Sequence, residues 1–437
     1  MPLLCRLIFT RGLAVDDTKN SMKKKTPTSR FSLILLLGLL SALGPFSIDM
    51  YLPGFPVIAA DLNTSVDRVS YSLSSYFVGV CVGQMLWGPL LDRYGRKRPL
   101  YMGIAIYILA SLGCAVAGNI EMLIGFRFLQ ALGGCVGMVA PRAVVRDVFP
   151  VWENAKVFSL LILVIGVSPI IAPTAGSFFI TAFGWHSVFV VLAILSVLLL
   201  LAVIFYLPES KQPDPGFSLR PKPIVNKFWY VLKEPQFFTY SLTGAVASAG
   251  LYAYLSGSPF VFMSLFGVSE QHYSWIFALI AAGLIGSSQL NNVLLKKYSS
   301  QQIIRTVLTV QVAVGFLLAI GTAANVLNLY TTIFLIFLFL CCQGFSFPNA
   351  SALSMAPFSR EAGSASALMG AIQMGIGAVA SALVGVFFNN TALPMTGVMA
   401  GCALIAILIL VTGQRKIRYK ARLTDNNEQA VDQIEKL

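Results

Sequence analysis

Twelve apolar runs, each near the roughly 20 residues a helix needs to cross hydrocarbon, divide almost the whole chain: 32–54, 70–91, 99–118, 122–142, 157–183, 185–207, 236–260, 272–295, 303–323, 328–350, 363–388 and 393–413. Backbone groups in lipid have no water to bond, so such runs close their hydrogen bonds within helices. The expected fold is an all-α membrane protein with twelve transmembrane helices. A content of 57% hydrophobic and 11% charged residues leaves too little polar side chain to cover a water-soluble body of this length.

The net charge of +13 raises the question of nucleic acid, and the placement of the cations answers it. The tails and the connections after spans 2, 4, 6, 8 and 10 hold 29 of the 31 Lys and Arg residues; of the other two, Arg68 lies in an opposite connection and Arg127 within span 4. By the positive-inside rule this bias sets orientation, with both termini cytoplasmic, and no nucleic-acid partner is expected. The stretch from Met22 to Gly44 has the basic-then-apolar order of a signal peptide. It is read as span 1 instead, because its removal breaks the parity of the loop charges. Six of the seven Cys fall within spans and read as small packing residues. The absence of any Gly-Lys pair excludes a Walker A site, so ATP drive is not expected, and "GGCVG" (Gly133–Gly137) is no phosphate loop. His186 and His272 fall near span ends, and neither a metal-ligand cluster nor a cofactor motif stands out.

The Pro- and Lys-rich stretch "PESKQPDPGFSLRPKP" falls between spans 6 and 7. It divides the chain into a tail (1–30), a six-helix bundle (31–207), a cytoplasmic linker (208–234), a second six-helix bundle (235–413) and a second tail (414–437). "LLDRYG" and "LLKKYS", "FRFL" and "FLFL", and "GVSPIIAPTAGSFF" and "GIGAVASALVGVFF" pair across the halves at offsets of 204, 211 and 209, as a duplicated unit requires. The halves differ in chemistry: Arg127 is matched by Leu338, and Asp49 is the one carboxylate well inside a span.

A carboxylate at membrane depth costs about 2.5 kcal/mol or more, so it turns inward and is paired. Asp49 lies about 6 Å below Pro53 at the end of span 1, and Arg127 about 9 Å below Glu121 in span 4. Matched depths make Arg127 the expected partner, either as a packing pair or as a proton-linked one. "GPLLDRYGRKRPL" joins spans 2 and 3. Beyond its topological charge, Gly88, Asp92, Arg93, Gly95 and Arg96 read as a cytoplasmic gate. Asp92 would accept from a helix N-terminus of the other half, and Arg93 and Arg96 would serve as cationic ties. In "SPIIAPTAGS", Ser168, Ala172 and Gly176 recur every four residues as a ridge for close helix approach, with Pro169 and Pro173 perturbing the backbone. "YLSGSPFVF" ends span 7, where Gly257 and Pro259 serve either as a bend or as a terminator. Tyr51, Tyr76, Tyr252 and Tyr254 are candidates for an aromatic substrate cavity, although interfacial belts also attract Tyr.

Taken together, "DMYLP", "GPLLDRYGRKRP", "RFLQALGG", "RAVVRD", "YLSGSPFV", "PNASALSMAPF" and "AGSASALMG" resemble the drug:proton antiporters of the major facilitator superfamily, most closely the bicyclomycin and chloramphenicol resistance (Bcr/CflA) type, over residues 30–413. The resemblance implies a non-enzymatic exporter of small amphipathic compounds, phenicol- or bicyclomycin-like, acting as a monomer in a bacterial cytoplasmic membrane. It implies alternating access, with Asp49 and Arg127 in proton coupling. Export of a native metabolite and proton-linked uptake are the alternatives. Span 5 departs from that family's "GP..GG" antiporter pattern, reading Ala172, Pro173, Thr174, Ala175, Gly176, Ser177.

Overall fold

The computed structural model describes residues 30–214, 216, 219, 221–358 and 362–434. Its helices are, in order, α1 (Arg30–Asp49), α2 (Phe55–Asp61), α3 (Val66–Tyr94), α4 (Lys97–Ala115), α5 (Ile120–Gly134), α6 (Val136–Val148), α7 (Val151–Phe183), α8 (His186–Tyr206), α9 (Pro221–Leu232), α10 (Pro235–Pro259), α11 (Glu270–Leu294), α12 (Ser300–Ala323), α13 (Leu329–Met355), α14 (Ala362–Val386) and α15 (Leu393–Ile434). Ten helical segments among the described residues are long and apolar enough to cross a membrane. The remaining two of the twelve expected runs are α3 and α10, which reach about 43 and 37 Å at the usual rise. Their hydropathy is diluted by polar groups that face protein: Ser70, Ser72, Ser74 and Gln84 on α3, and Thr239, Ser241, Thr243, Ser248, Ser256 and Ser258 on α10, are all buried.

Proline and glycine decide the local geometry. Pro53 has no N–H for the Asp49 carbonyl, so α1 stops at Asp49 and the chain continues through a 3₁₀ turn, Leu52–Gly54, into α2. Pro169 likewise leaves the Ile165 carbonyl without its helical donor, and the Ser168 hydroxyl supplies one at 2.6 Å. The run 122–142 is two helices, α5 and α6, meeting at Cys135. The glycines of "GGCVG" are what the packing there requires. A Cβ on Gly133 would lie 2.6 Å from the Gly103 carbonyl, and one on Gly137 would lie 2.7 Å from the Leu40 carbonyl. Span 7 does not terminate at Pro259. It passes into a π-helical turn, Phe260–Leu265. Several helices extend beyond their apolar runs, most of all α7, which begins at Val151, and α15, which continues to Ile434, and the linker contains α9.

Helices α1 to α8 pack with one another, as do α10 to α15, and the two sets meet along α3 with α14 and α7 with α11. The α3–α14 seam is closed from the end opposite the basic loops to the middle of the bundle. There Tyr71 packs where a Gly385 Cβ would point, Ser74 and Ser381 hydroxyls lie 2.8 Å apart, and Cys81 Sγ donates to the Ala371 carbonyl at 3.2 Å. The α7–α11 seam is tied by Ser274 Oγ donating to the Pro173 carbonyl, 3.0 Å, and by Thr181 to Glu270, 3.3 Å. Beyond Gln84, which packs against Gly370, a cavity opens between α3 and α14 toward the basic end.

Candidate functional site

Arg127 is the largest completely buried polar side chain among the described residues, at 0% exposure. Its guanidinium lies between the faces of Tyr51 and Tyr76, 4.7 and 4.4 Å from the ring centroids, with Phe189 at 5.8 Å. One nitrogen donates to the Ser47 carbonyl, 3.0 Å, and to Gln130 Oε1, 2.6 Å. Gln130 Nε2 passes the chain on to Ser111 Oγ at 2.8 Å. The other two guanidinium nitrogens have no hydrogen-bond partner among the described residues. Ring faces carry negative potential and hold a desolvated cation where no carboxylate does.

The expected Asp49–Arg127 ion pair is not formed: among the described residues neither side chain has a salt-bridge partner within 4.0 Å. The reason is rotational. Arg127 reaches α1 at Ser47, and two residues further along a helix the side chain has turned about 200°. Asp49, 5% exposed, therefore points away from Arg127, and the Leu52–Gly54 turn that follows it touches α10 and α11. Tyr273 of α11 shares a 2.9 Å hydrogen bond with Ser258 of α10, and the Tyr254 hydroxyl is buried beside Phe277.

Between α3 and α14 at the basic end lies a cavity of about 670 Å³. It is lined by Gln84, Gly88, Asp92 and Arg96 on one side, Arg142, Arg146 and Asp147 above them, and Pro223, Lys227, Phe228, Gly363 and Ser364 opposite. None of Tyr51, Tyr76, Tyr252 and Tyr254 lines it, and all four are buried. Tyr51 and Tyr76 are used to hold Arg127. Tyr252 is buried edge-on to Phe77, 4.7 Å between centroids, and its hydroxyl meets the Met374 sulfur at 3.7 Å.

In the loop between α3 and α4, the ties of Asp92 and Arg96 lie within the first eight helices and the linker. Arg96 bonds Asp147 Oδ2 at 2.7 Å and Asp92 at 3.2 Å, and Lys211 reaches Asp92 at 2.8 Å. Glu209 accepts from the backbone N–H groups of Arg96 and Lys97, at 2.6 and 3.2 Å, and the Arg93 carbonyl accepts from the Asp214 N–H at 3.0 Å. Gly95 holds φ +82°, and a Cβ there would lie 3.0 Å from the Lys211 carbonyl, so the linker sits where a side chain would be. Gly88 faces open cavity: a Cβ on it would meet nothing within 4 Å. Partial burial pushes the Asp92 carboxyl up, but the bonds and charges of Lys211 and Arg96 outweigh it and hold the group below its ordinary range. Sequence reasoning missed Asp147, Glu209, Lys211, Ser47 and Gln130. Gln130, three residues after Arg127 on one helix face, was the signal available.

On α7, Ser168 and Ala172 are buried, and a Cβ on Gly176 would clash with the Met50 carbonyl. The ridge thus seats α1 against α7 directly behind Asp49, and Pro173 offers its carbonyl to α11.

Twelve spans in two sets, closed at one end and parted around a polar cavity at the other, define a multi-pass membrane transporter. The chain belongs to the Major Facilitator Superfamily, whose family model matches residues 37–382. It is 36% identical over 386 residues to the uncharacterized MFS-type transporter YdgK of Bacillus subtilis, covering 88% of this chain and 95% of the relative. It is 30% identical to the bicyclomycin resistance protein homolog of Haemophilus influenzae (87% and 95% covered) and 30% identical to the multidrug resistance protein MdtL of Escherichia coli O81 (87% and 93%). Among solved structures it superposes on a D-xylose-proton symporter with a TM-score of 0.68 at 14% identity, covering 87% of this chain and 97% of that one. It superposes on a bacterial homolog of the human lysosomal transporter Spinster at 0.65 and 15% identity, with 88% and 95% covered.

Proposed function

We propose that the chain is a proton-driven exporter of small amphipathic compounds, of the kind named in its bicyclomycin- and multidrug-resistance relatives, and that it works by alternating access. In this reading both termini and the cavity face the cytoplasm, the protein lies in a bacterial cytoplasmic membrane as a monomer, and residues 31–207 and 235–413 rock as two bodies. The observation that carries it is the position of Asp49: a buried carboxylate with no ion-pair partner among the described residues, beside the turn where the first set of helices touches α10 and α11. Arg127, held by aromatic faces and carbonyls, supplies a fixed positive field one helix away. Substrate arrives through the inner cavity while Asp49 is deprotonated, the bundle closes behind it, and a proton from outside restores the neutral acid as the substrate leaves. One proton crossing 100 mV supplies about 2.3 kcal/mol, which corresponds to about fifty-fold accumulation, so a single titrating group suffices. The test is a resistance panel in an efflux-deficient host. Wild type should raise tolerance to phenicol- or bicyclomycin-like compounds and Asp49→Asn should not, at equal membrane expression. Equal tolerance conferred by both proteins contradicts the role of Asp49.

A further inference from the structure

The cavity at the basic end holds more positive charge than the gate needs. Four cations line it, Arg96, Arg142, Arg146 and Lys227, together with three acids, Asp92, Asp147 and Asp214. Asp92 and Asp147 are already engaged by Arg96, Lys211 and Ser210, and the Asp214 carboxylate accepts from the Gly216 N–H at 3.0 Å. Arg142 and Arg146 stand one turn apart on α6, both open to the cavity, and among the described residues neither has an ion-pair partner within 4.0 Å. Like charges one turn apart repel on a helix. The arrangement is stabilised when an anion comes between them.

The opposite wall adds to the same field. Gly363 and Ser364, in the first turn of α14, line the cavity, and the Gly363 Cβ position lies 3.9 Å from an Arg146 guanidinium nitrogen. A helix start presents unpaired N–H groups and the positive end of its dipole. Two guanidinium forks and a helix start thus converge on one space, with apolar Val139 and Phe228 beside them.

We infer that Arg142 and Arg146 make the inner cavity an oxyanion-binding vestibule, so that the preferred substrates are amphiphiles carrying a carboxylate or comparable oxyanion beside an apolar body. This rests on the transport reading above and adds to it a preference, within small amphipathic compounds, for anionic members over neutral ones of the phenicol or bicyclomycin kind. A guanidinium pairs with a carboxylate through two parallel bonds, and a charge-assisted contact of this kind is worth about tenfold or more in affinity.

The test uses the full chain, purified in detergent, and two probes: a dansyl-labelled amphiphile with a free carboxylate, and the methyl ester of the same molecule. Wild type should bind the carboxylate about tenfold or more tighter than the ester at low salt, with the gap narrowing at high salt. In Arg142→Gln/Arg146→Gln the ratio of the two dissociation constants should fall toward one, and Arg142→Lys, which keeps charge but loses the fork, should lie between. Equal affinity of wild type for both probes overturns the inference, as does a carboxylate preference that survives the double variant. Should the double variant fail to purify, wild type and the single Arg146→Gln decide by the same ratio. Export of neutral compounds by a wild type that ignores the carboxylate removes the vestibule and leaves the exporter standing. A wild type that exports nothing removes both.

Discussion

Arg127 is held at membrane depth by two tyrosine faces, a carbonyl and a glutamine rather than by an acid, and that choice of partners has consequences for its substitution. A desolvated cation–π contact is worth about 2 kcal/mol, and an ammonium cannot stack on two rings as a planar guanidinium does. Arg127→Lys should therefore lower both the melting temperature and the export rate, and Arg127→Ala should lower them further. Both are read by thermal shift and by dye efflux from loaded cells, and an alanine variant matching wild type in both would contradict this role. Gly176 sits against the Met50 carbonyl, so Gly176→Val should overpack the α1–α7 contact at a cost of about 1–3 kcal/mol, visible as a lower melting temperature. Asp49 and Arg127 were legible as charges inside apolar runs, and their depths were obtained by counting residues. That they do not pair was not legible, because a residue count fixes height along the membrane while the azimuth depends on which face of α1 meets α5.

At the scale of elements, the linker is the part the sequence described least well. Its Pro and Lys residues read as a spacer, yet residues 209–214 are bonded to the α3–α4 turn, and α9 packs Val231 and Phe228 with Ala365 and Leu368 of α14. Glu209 and Lys211 look in sequence like any solvated charge pair, and only the fold brings them to Arg96 and Asp92. Lys211→Gln removes the closest tie on Asp92, so the 209–214 segment should become more accessible to limited proteolysis while export continues at altered rate. The pH dependence has a definite sign. Because the Asp92 carboxyl is held below its ordinary range, its contribution to this latch is complete above the ordinary carboxylate value near 4 and is lost as pH falls through the lowered one. Protease protection of the segment should thus be flat from neutral pH down to about 4 and fall only below it; loss near pH 6 would assign the latch to another group. The two helices with the weakest hydropathy, α3 and α10, were still legible as spans from their length, and their serines and threonines become intelligible as faces packed against other helices: Ser74 meets α14 across the seam, while Ser256 and Ser258 bond α14 and α11 of their own set.

For the whole molecule, the closed end of the α3–α14 seam and the open one describe a single state of a two-state device. Ser74 and Ser381 lie 2.8 Å apart on the closed side, so cysteines at both positions in a cysteine-free background should cross-link under oxidation and stop export, with activity returning on reduction. Undiminished export by the cross-linked protein would mean that this seam never opens. The duplicated six-span plan was legible in the three paired motifs, whereas the conformation was not, since the same residues serve both states and only their contacts differ. The account rests most heavily on a proton moving each time substrate does, through Asp49. It is tested most directly in proteoliposomes with an imposed proton gradient, by following the dissipation of that gradient when exported substrate is added. Wild type should dissipate the gradient in proportion to substrate, and Asp49→Asn, reconstituted at equal density, should leave it intact. Substrate-dependent dissipation of equal size in both proteins would contradict the account.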